Sequence, residues 1–486
     1  MIILITILAY FAILFGISQF TSKKADNSTF YRANRRAPWY MVAFGMIGAS
    51  ISGVTFVSVP GMVLTSQMTY LQMCLGFIGG YLVIAFVLLP LYYRLNLTSI
   101  YTYLGQRLGA RSYLTGASFF LLSKMTGAAV RFYVVCMILQ QFVFAPAGIP
   151  FAVNVIMMVL LIWLYTRRGG IGTLVFTDSF QTLCLFTALI LIILSVISQM
   201  HLSVNEAITA IANSEMSRIF VFDDWVSPHN FWKQFLSGVF VAIVMTGLDQ
   251  DMMQKNLTCK TLRDAQKDMC TYGMAFVPAN LLFLALGILL AILAGSEVPL
   301  KGDALLPTYI QGATDSSLPT FHSSILLFFI VGIVAASFSS ADSALTSLTT
   351  CFCVDICRQP DNEALRKKMH VVMCGFFMLF ILLFRQLNST SLIDAIYILA
   401  SYTYGPLLGL FTFGLFTKRQ PNDRLVPYIC IASPLLCYAL DSMAQHIWDY
   451  RFGYELLMLN GIITFLGLCT NSETTSRRYS RSEKPK

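Results

Sequence analysis

The feature that most constrains this chain is a series of apolar runs, each about as long as a helix needs to cross a bilayer. Roughly thirteen runs recur, each close to the ~20 residues that a bilayer span requires. In lipid every backbone polar group needs an internal partner, so such spans fold as helices. The sequence therefore predicts an all-α polytopic membrane protein with about 13 transmembrane helices. The runs are 2–19, 39–64, 68–93, 113–143, 150–166, 174–200, 231–250, 272–294, 323–353, 369–387, 391–417, 425–442 and 452–469.

Composition and charge agree with a membrane protein. The 486 residues are 56% hydrophobic and 12% charged, with a net charge of +9. If the N-terminus lies outside, the predicted cytoplasmic connections contain most of the Lys and Arg residues, Lys255 among them, while the long loops near 201–230 and 295–322 contain only Arg218 and Lys301 with a surplus of acids. This positive-inside asymmetry accounts for the charge without a nucleic-acid partner. It predicts a cytoplasmic C-terminus, and the short loops favour a bacterial inner (plasma) membrane.

The spans group into two sets of five, each opened by a glycine-interrupted helix. Five spans reverse the orientation in the membrane, so the two sets would be inverted repeats, and broken first helices at corresponding positions point to a transport site near the bilayer midplane. Nothing in the chain demands a protein partner. The predicted units are a peripheral helix (1–22), repeat 1 (39–200), repeat 2 (231–417), two C-terminal helices (425–469) and a basic cytoplasmic tail (470–486).

The stretch from Gly332 to Asp355 is unusually polar for a span. It continues an apolar run, yet it contains eight Ser or Thr residues up to Thr350 and a carboxylate at Asp342. A central charge costs roughly 2.5–3.5 kcal/mol to insert, so such a stretch is expected to face a watery cavity or a bound ion. Hydroxyl, carbonyl and carboxylate oxygens suit a small hard cation. The alternative is a close helix contact, for which membrane proteins also use small residues.

Several motifs in order resemble the sodium:solute symporter family. They are GASISGVTFVSVPG (48–61), LTSIYTYLGQRLG (97–109), GGIGTLVFTDSFQ (169–181), GLDQDMMQKNLTCKTLRDAQK (247–267) and YGPLLGLFTFGLFTKR (404–419). The resemblance runs nearly end to end. It implies a LeuT-type fold with a 5+5 inverted-repeat core, one helix before the core and two after it. It also implies Na⁺-coupled secondary active symport of a small organic solute by alternating access.

The resemblance also implies a sodium site between the broken first core helix and the eighth. It assigns backbone oxygens from Gly48, Ile51 and Ala336 and hydroxyls from Ser339 and Ser340. The spacing is chemically sensible, because positions three and four residues after Ala336 share its helical face. The expected coupling ion is Na⁺.

A second cation site is implied at Asp178, Asp342 and Ser343. Relatives have serine where this chain has Asp342, a departure that would strengthen cation binding, bring in a proton or replace the site. Alternatively, Asp178 is a carboxylate near a helix N-terminus, stabilised by the helix dipole. The sequence therefore predicts one or two sodium ions per cycle.

Arg131 lies deep in its span, where a guanidinium is a natural fork for a carboxylate. The sialic-acid branch of the family resembles this chain here, which favours an organic anion such as sialic acid over a neutral sugar, polyol or amino acid. Cys74 stands where that branch has glutamine. The alternative is that Arg131 pairs permanently with Asp178 or Asp342. The other implied substrate residues are Ser50, Ser52, Thr55, Tyr70, Gln72 and Cys74.

Other functional classes find less support. The chain contains no GxSxG or HExxH motif, so it is not expected to be an enzyme. A channel or a transporter-like sensor would need a filter repeat or a signalling domain, and neither occurs. Asp249 and Asp251 lie beside Lys255 at the cytoplasmic end of the seventh span, and they are interpreted as a solvated inner-gate or loop network in preference to a ligand site. Tyr404, with the tyrosines before it, belongs either to an outer gate or to an interfacial aromatic belt.

Overall fold

The structure is a computed structural model. The structure describes residues 2–23, 25–295, 302–311, 323–386, 392–448, 450 and 452–473.

The described residues are almost entirely helical, which confirms the prediction of an all-α protein. The only described strands are a two-residue antiparallel pair, β1 (Gln420–Pro421) and β2 (Ser472–Glu473). The α-helices are α1 (Ile2–Thr21), α2 (Asn27–Arg32), α3 (Trp39–Ser50), α4 (Gly53–Ser66), α5 (Tyr70–Val83), α6 (Leu89–Arg94), α7 (Thr102–Arg107), α8 (Ala110–Leu139), α9 (Phe151–Thr166), α10 (Ile171–Gln199), α11 (Val204–Ala212), α12 (Phe231–Ala242), α13 (Gln250–Asn256), α14 (Leu262–Ala294), α15 (Leu305–Gln311), α16 (Ser323–Cys351), α17 (Glu363–Phe384), α18 (Leu392–Phe416), α19 (Val426–Trp448) and α20 (Leu456–Thr470).

Short tighter or wider turns extend several of these helices. Single π-helical turns follow α5, α8, α12 and α16, and 3₁₀ turns occur in the connections. The π turns are Ile84–Leu88, Gln140–Phe144, Ile243–Gly247 and Phe352–Ile356, and the 3₁₀ turns are Ala33–Arg35, Glu215–Ser217 and Gly302–Ala304.

The helices are long enough for a polytopic protein. Among the residues that the structure describes, eight helices are long and apolar enough to cross a bilayer, and the number rises to ten if each of two bent pairs is one span. Three further apolar helices, Ile5–Thr21, Phe151–Thr166 and Leu456–Thr470, have fewer than 18 residues. The count of thirteen spans therefore stays a prediction. Across the described chain, the outward faces carry exposed Leu, Ile, Phe and Val side chains, as a lipid-facing surface would.

Both bent pairs lie where the sequence places glycine-interrupted helices. The chain bends by 63° between α3 and α4, and by 71° between the α12 span and α13. At the first break Ile51 and Ser52 leave the helical conformation. At the second break Asp249 is extended and caps α13, its carboxylate accepting from the backbone N–H groups of Asp251 and Met252. An Asp at this position satisfies donors that the new helix leaves open.

The polar part of the core lies where four helices meet. Helix α10 packs against α3 and α16, and α16 also packs against α8. Close approach of α3 to α10 depends on glycine, because a Cβ at Gly45 would stand 3.0 Å from the Cβ of Asp178 and one at Gly48 would overlap Thr182. The first helix break is thereby held against the Ser- and Thr-rich face of α16.

A second glycine contact joins α5 to α12. A Cβ on Gly76 would overlap the carbonyl of Phe235, and one on Gly238 would overlap that of Met73. We expect Gly76→Ala to lower the free energy of unfolding by about 1–3 kcal/mol, the usual cost of overpacking a close contact. Gly375→Ala is the matched control, since a Cβ there meets nothing within 4 Å. Thermal melting in detergent measures both, and equal melting temperatures would contradict the predicted contact.

Candidate functional site

The first helix break faces the polar stretch of α16. A Cβ on Gly53, the first residue of α4, would overlap the hydroxyl of Ser337 on α16. The hydroxyl oxygen of Ser337 is buried and has no hydrogen-bond partner among the described residues. The break and the hydroxyl face are therefore in direct contact, as a shared ion site requires.

The two breaks differ in how their backbone carbonyls are satisfied. At the second break, Tyr92 donates to the carbonyl of Gly247 and Tyr101 to that of Leu248, both at 2.9 Å. At the first break, the carbonyls of Gly48 and Ile51 accept no hydrogen bond from any described residue. Buried carbonyls normally have a partner. The first break thus offers free oxygens beside α16, and the second does not.

Two serine hydroxyls of α16 are oriented so that a cation can use their lone pairs. Ser339 donates a hydrogen bond to Oδ1 of Asp178 at 3.0 Å, and Ser340 donates one to the carbonyl of Ser337 at 3.0 Å. A hydroxyl whose O–H points at an acceptor still has oxygen lone pairs that can bind a metal ion. These groups fit the oxygen set that was expected to bind sodium, together with Ala336, which is buried in the same turn of α16. Their role as ligands stays a prediction.

The region of the implied second cation site contains a lysine. Nζ of Lys255 on α13 lies 2.7 Å from Oδ2 of Asp178, and the two side chains are 3% and 1% exposed. The sequence analysis placed Lys255 in a cytoplasmic connection, and this was wrong: the chain turns inward at the second break, so α13 carries it into the core. Asp178 is accordingly not a surface carboxylate at a helix end.

Asp342 lies beside this ion pair and is also buried. Tyr165 on α9 donates to its Oδ2 at 2.6 Å. Oδ1 of Asp342 and the hydroxyl of Ser343 have no hydrogen-bond partner among the described residues. Asp178 is therefore paired with Lys255, and Asp342 accepts from Tyr165. The alternative hypothesis from the sequence, a permanent pair between Arg131 and one of these two aspartates, was wrong.

A polar cavity opens between α3, α8, α12, α14 and α18 beside this cluster. Arg131 lines it, and its guanidinium makes no ion pair or hydrogen bond with any residue that the structure describes. Ser50, expected to contact substrate, and Ser340, expected to bind sodium, line the same cavity. The hydroxyl of Ser50 lies within hydrogen-bond distance of the carbonyl of Met46, to which it can donate. It also lies 2.7 Å from the hydroxyl of Tyr272, and either hydroxyl can be the donor in that contact.

Lys124 lies about two helical turns before Arg131 on α8 and binds two carboxylates that line the cavity. Its Nζ is 3.3 Å from Asp249 and 2.7 Å from Asp251, and Tyr404 also donates to Asp249. The interpretation of Asp249 and Asp251 as a solvated loop network was wrong, because both are buried at the second helix break; their role in an inner gate stays a prediction. Tyr404 is buried too, so it belongs to no interfacial belt.

The other residues implied for substrate do not line this cavity. Ser52, Tyr70 and Cys74 are buried, Thr55 is half-buried, and none of them is among the cavity-lining residues. Gln72 is occupied by the loop before α12: its amide donates to the carbonyl of His229 and accepts from the backbone N–H of Val221. The structure thus brings Ser50 and Arg131 together but leaves the remaining residues outside the described cavity.

Sequence reasoning missed three polar side chains that lie in or beside the candidate site. Lys124 stands seven residues before Arg131 in one apolar span, a spacing that places both on one helical face, and this signal was available. Lys255 follows the second break closely and resembled an ordinary loop lysine. Tyr165 gave no signal, since a tyrosine near a span end is usually interfacial.

Comparison with known proteins agrees with this arrangement. The model of the sodium:solute symporter family matches residues 30–423. The sodium/sialic acid symporter SiaT of Proteus mirabilis is 25% identical over 442 residues, covering 85% of this chain and 84% of that protein. The sodium/sialic acid symporter NanT of Aliivibrio fischeri is 25% identical over 456 residues, covering 89% and 86%.

A solved structure of a Na⁺-coupled sialic acid symporter in a substrate-bound outward-open state superposes on the chain with a TM-score of 0.81. The identity is 20%, with 98% of this chain and 99% of that chain covered. This likeness shows the fold, which is the predicted LeuT-type transporter fold. The family is one of Na⁺-coupled transporters and not of enzymes. The chain belongs to the sodium:solute symporter family.

Proposed function

We propose that this protein imports a small carboxylate-bearing organic solute, sialic acid or a similar organic anion, together with Na⁺. The observation that carries the proposal is Arg131, a guanidinium without an acidic partner among the described residues, in a cavity bordered by Ser340. Arg131 is half-buried, and a cation that is partly withdrawn from water without a counter-ion is costly. A substrate carboxylate removes that cost when it binds, and a planar guanidinium can hold it by two parallel hydrogen bonds.

The cavity also offers acceptors for hydroxyl or amide groups of the substrate. Oδ1 of Asp251 and the hydroxyl of Ser123 are buried there without a partner among the described residues. A simple monocarboxylate would leave these groups unsatisfied, whereas an acid that carries N–H or O–H donors would satisfy them. Sialic acids have this combination, and two relatives are named as sialic acid symporters. Together these points favour a polyhydroxylated acid as the solute.

Sodium binds, in this proposal, where the first helix break meets α16. The carbonyls of Gly48, Ile51 and Ala336 and the hydroxyls of Ser339 and Ser340 supply five oxygens. Because Ser340 borders both the ion site and the cavity, an ion held there orders the wall against which the substrate binds. The coupling is reciprocal by thermodynamic necessity, so substrate raises the affinity for Na⁺ by the same factor.

The transport cycle follows from two inverted repeats, 39–200 and 231–417, each opened by a bent helix pair. Rocking of one repeat against the other would expose the site alternately to each side.

We place the N-terminus outside and the C-terminus in the cytoplasm of a bacterial inner membrane, on the distribution of basic residues. A green fluorescent protein fused after residue 486 should fluoresce; a dark but fully inserted fusion would reverse the orientation.

Binding is tested by thermal stability of the purified protein with a panel of solutes, in NaCl and in choline chloride. A ligand that binds only the folded state raises the melting temperature by mass action. We expect sialic acids to stabilise the protein in NaCl and not in choline chloride. A shift with neutral sugars, polyols or amino acids but with no acid would refute the carboxylate assignment and leave sodium coupling intact. No response to sodium with any solute would refute the proposed function.

Ser340→Ala should weaken Na⁺ binding selectively. It removes one proposed ligand, and changes around metal sites typically cost about 10–100-fold in affinity, so we expect the Na⁺ concentration for half-maximal stabilisation to rise at least about 10-fold. Ser347→Ala is the matched control, because Ser347 lies two turns further along α16 and donates only to its own helix, at Ala344. An equal effect of both variants would argue against an ion ligand at Ser340.

A further inference from the structure

The cluster around Asp178 and Asp342 has the composition of a cation site that already contains its cation. Two buried carboxylates, from α10 and α16, stand beside the hydroxyls of Ser339 and Ser343, all four residues being at most 1% exposed. Such a set would attract a hard metal ion. In this chain, however, the ammonium of Lys255 lies 2.7 Å from Oδ2 of Asp178.

The ammonium meets the electrostatic requirement that a second Na⁺ would otherwise meet. Both carry a single positive charge, and both are held by carboxylate oxygens at short range. Ser339 donates to the other oxygen of Asp178, while Tyr165 takes one oxygen of Asp342. A Na⁺ at the same place would lie against a fixed like charge, which disfavours its binding.

We infer that the Lys255 ammonium is a built-in replacement for a second sodium ion, so that this transporter binds one Na⁺ with its solute. The inference rests on the proposed function, since it specifies the ion count of that same transport. Lys255 is covalently part of α13 and is never released, so it contributes no driving force. Through Asp178 it ties α13, directly after the second helix break, to α10.

The basic cluster on the other side of the cavity provides a contrast. Lys124 is also paired with two aspartates, but these belong to the second break and line the cavity. Lys124 therefore borders the proposed substrate cavity, whereas Lys255 lies in the cluster that Ser339 joins to the proposed sodium site.

The test is equilibrium binding of ²²Na⁺ to the purified protein, with a saturating solute found in the stability panel. For the wild type we expect one Na⁺ per protein and a Hill coefficient near one. In Lys255→Met/Asp342→Ser, which leaves one carboxylate among hydroxyls and no ammonium, we expect two Na⁺ and a Hill coefficient above one. Lys255→Arg, which keeps a positive charge beside Asp178, should stay at one.

Two results would overturn the inference. One is a wild type that binds two Na⁺, a measurement that needs no variant and decides the question even if the double variant fails to fold. The other is a folded double variant that still binds one. Absence of any ²²Na⁺ binding to the wild type is a different outcome, because it refutes the proposed sodium coupling itself.

Discussion

Replacing Arg131 by alanine should abolish high-affinity binding of a carboxylate solute while leaving Na⁺ binding intact. Truncating one partner of a buried, hydrogen-bonded charge pair costs about 2–5 kcal/mol, and about 1.4 kcal/mol is tenfold in affinity. We therefore expect the dissociation constant to rise at least about 30-fold. No described carboxylate contacts this guanidinium in the protein, so its removal should leave the melting temperature without solute nearly unchanged.

Two further variants distinguish a carboxylate fork from a general positive field. Arg131→Lys keeps the charge but loses the planar pair of donors, and we expect it to recover only part of the affinity. An analogue in which the carboxylate is replaced by a neutral amide should bind the wild type and Arg131→Ala about equally weakly. Isothermal titration in NaCl measures all these affinities. Unchanged acid affinity in Arg131→Ala would remove the basis for a carboxylate substrate.

Breaking the buried pair between Asp178 and Lys255 should produce the largest loss of stability. Removing one partner of such a pair leaves an uncompensated buried charge and costs about 3–5 kcal/mol. We expect Asp178→Asn and Lys255→Met each to lower the free energy of unfolding by this amount in sodium-free buffer. The double variant should be more stable than the sum of the single effects implies, because neither charge is then left alone.

An exposed ion pair provides the control for this double-mutant cycle. Arg218 and Asp223 form a 2.6 Å contact with side chains that are 48% and 70% exposed, and such surface pairs are worth about 0–1 kcal/mol. Chemical denaturation in detergent measures both cycles. If the Asp178 and Lys255 effects were additive and as small as those of the surface pair, the ion pair would not hold the core together.

The parts of the fold that are encoded locally could be predicted from the sequence. Apolar runs indicate the helices, and glycines mark both breaks. Gly48 and Gly53 at the first break and Gly247 at the second permit approaches that a side chain would block. The polar stretch of α16 was recognisable because Asp342 is expensive in a membrane. These signals depend only on neighbouring residues.

Contacts between distant residues could not be predicted in the same way. Lys255 has the same local context as the loop lysines that follow it, and only the inward turn of α13 brings it to Asp178. Gln72 stands beside residues expected to bind substrate, but its amide meets a loop that is far away in sequence. In both cases tertiary structure decides the role of a polar side chain.

The most direct test of sodium-coupled carboxylate import is uptake of radiolabelled sialic acid into proteoliposomes with an inward Na⁺ gradient. The account predicts saturable accumulation above the external concentration, collapse of that accumulation by a sodium ionophore, and no accumulation in Arg131→Ala. Uptake that is equal when choline replaces Na⁺ would contradict sodium coupling. Accumulation of neutral sugars alone, driven by the same gradient, would contradict the role assigned to Arg131.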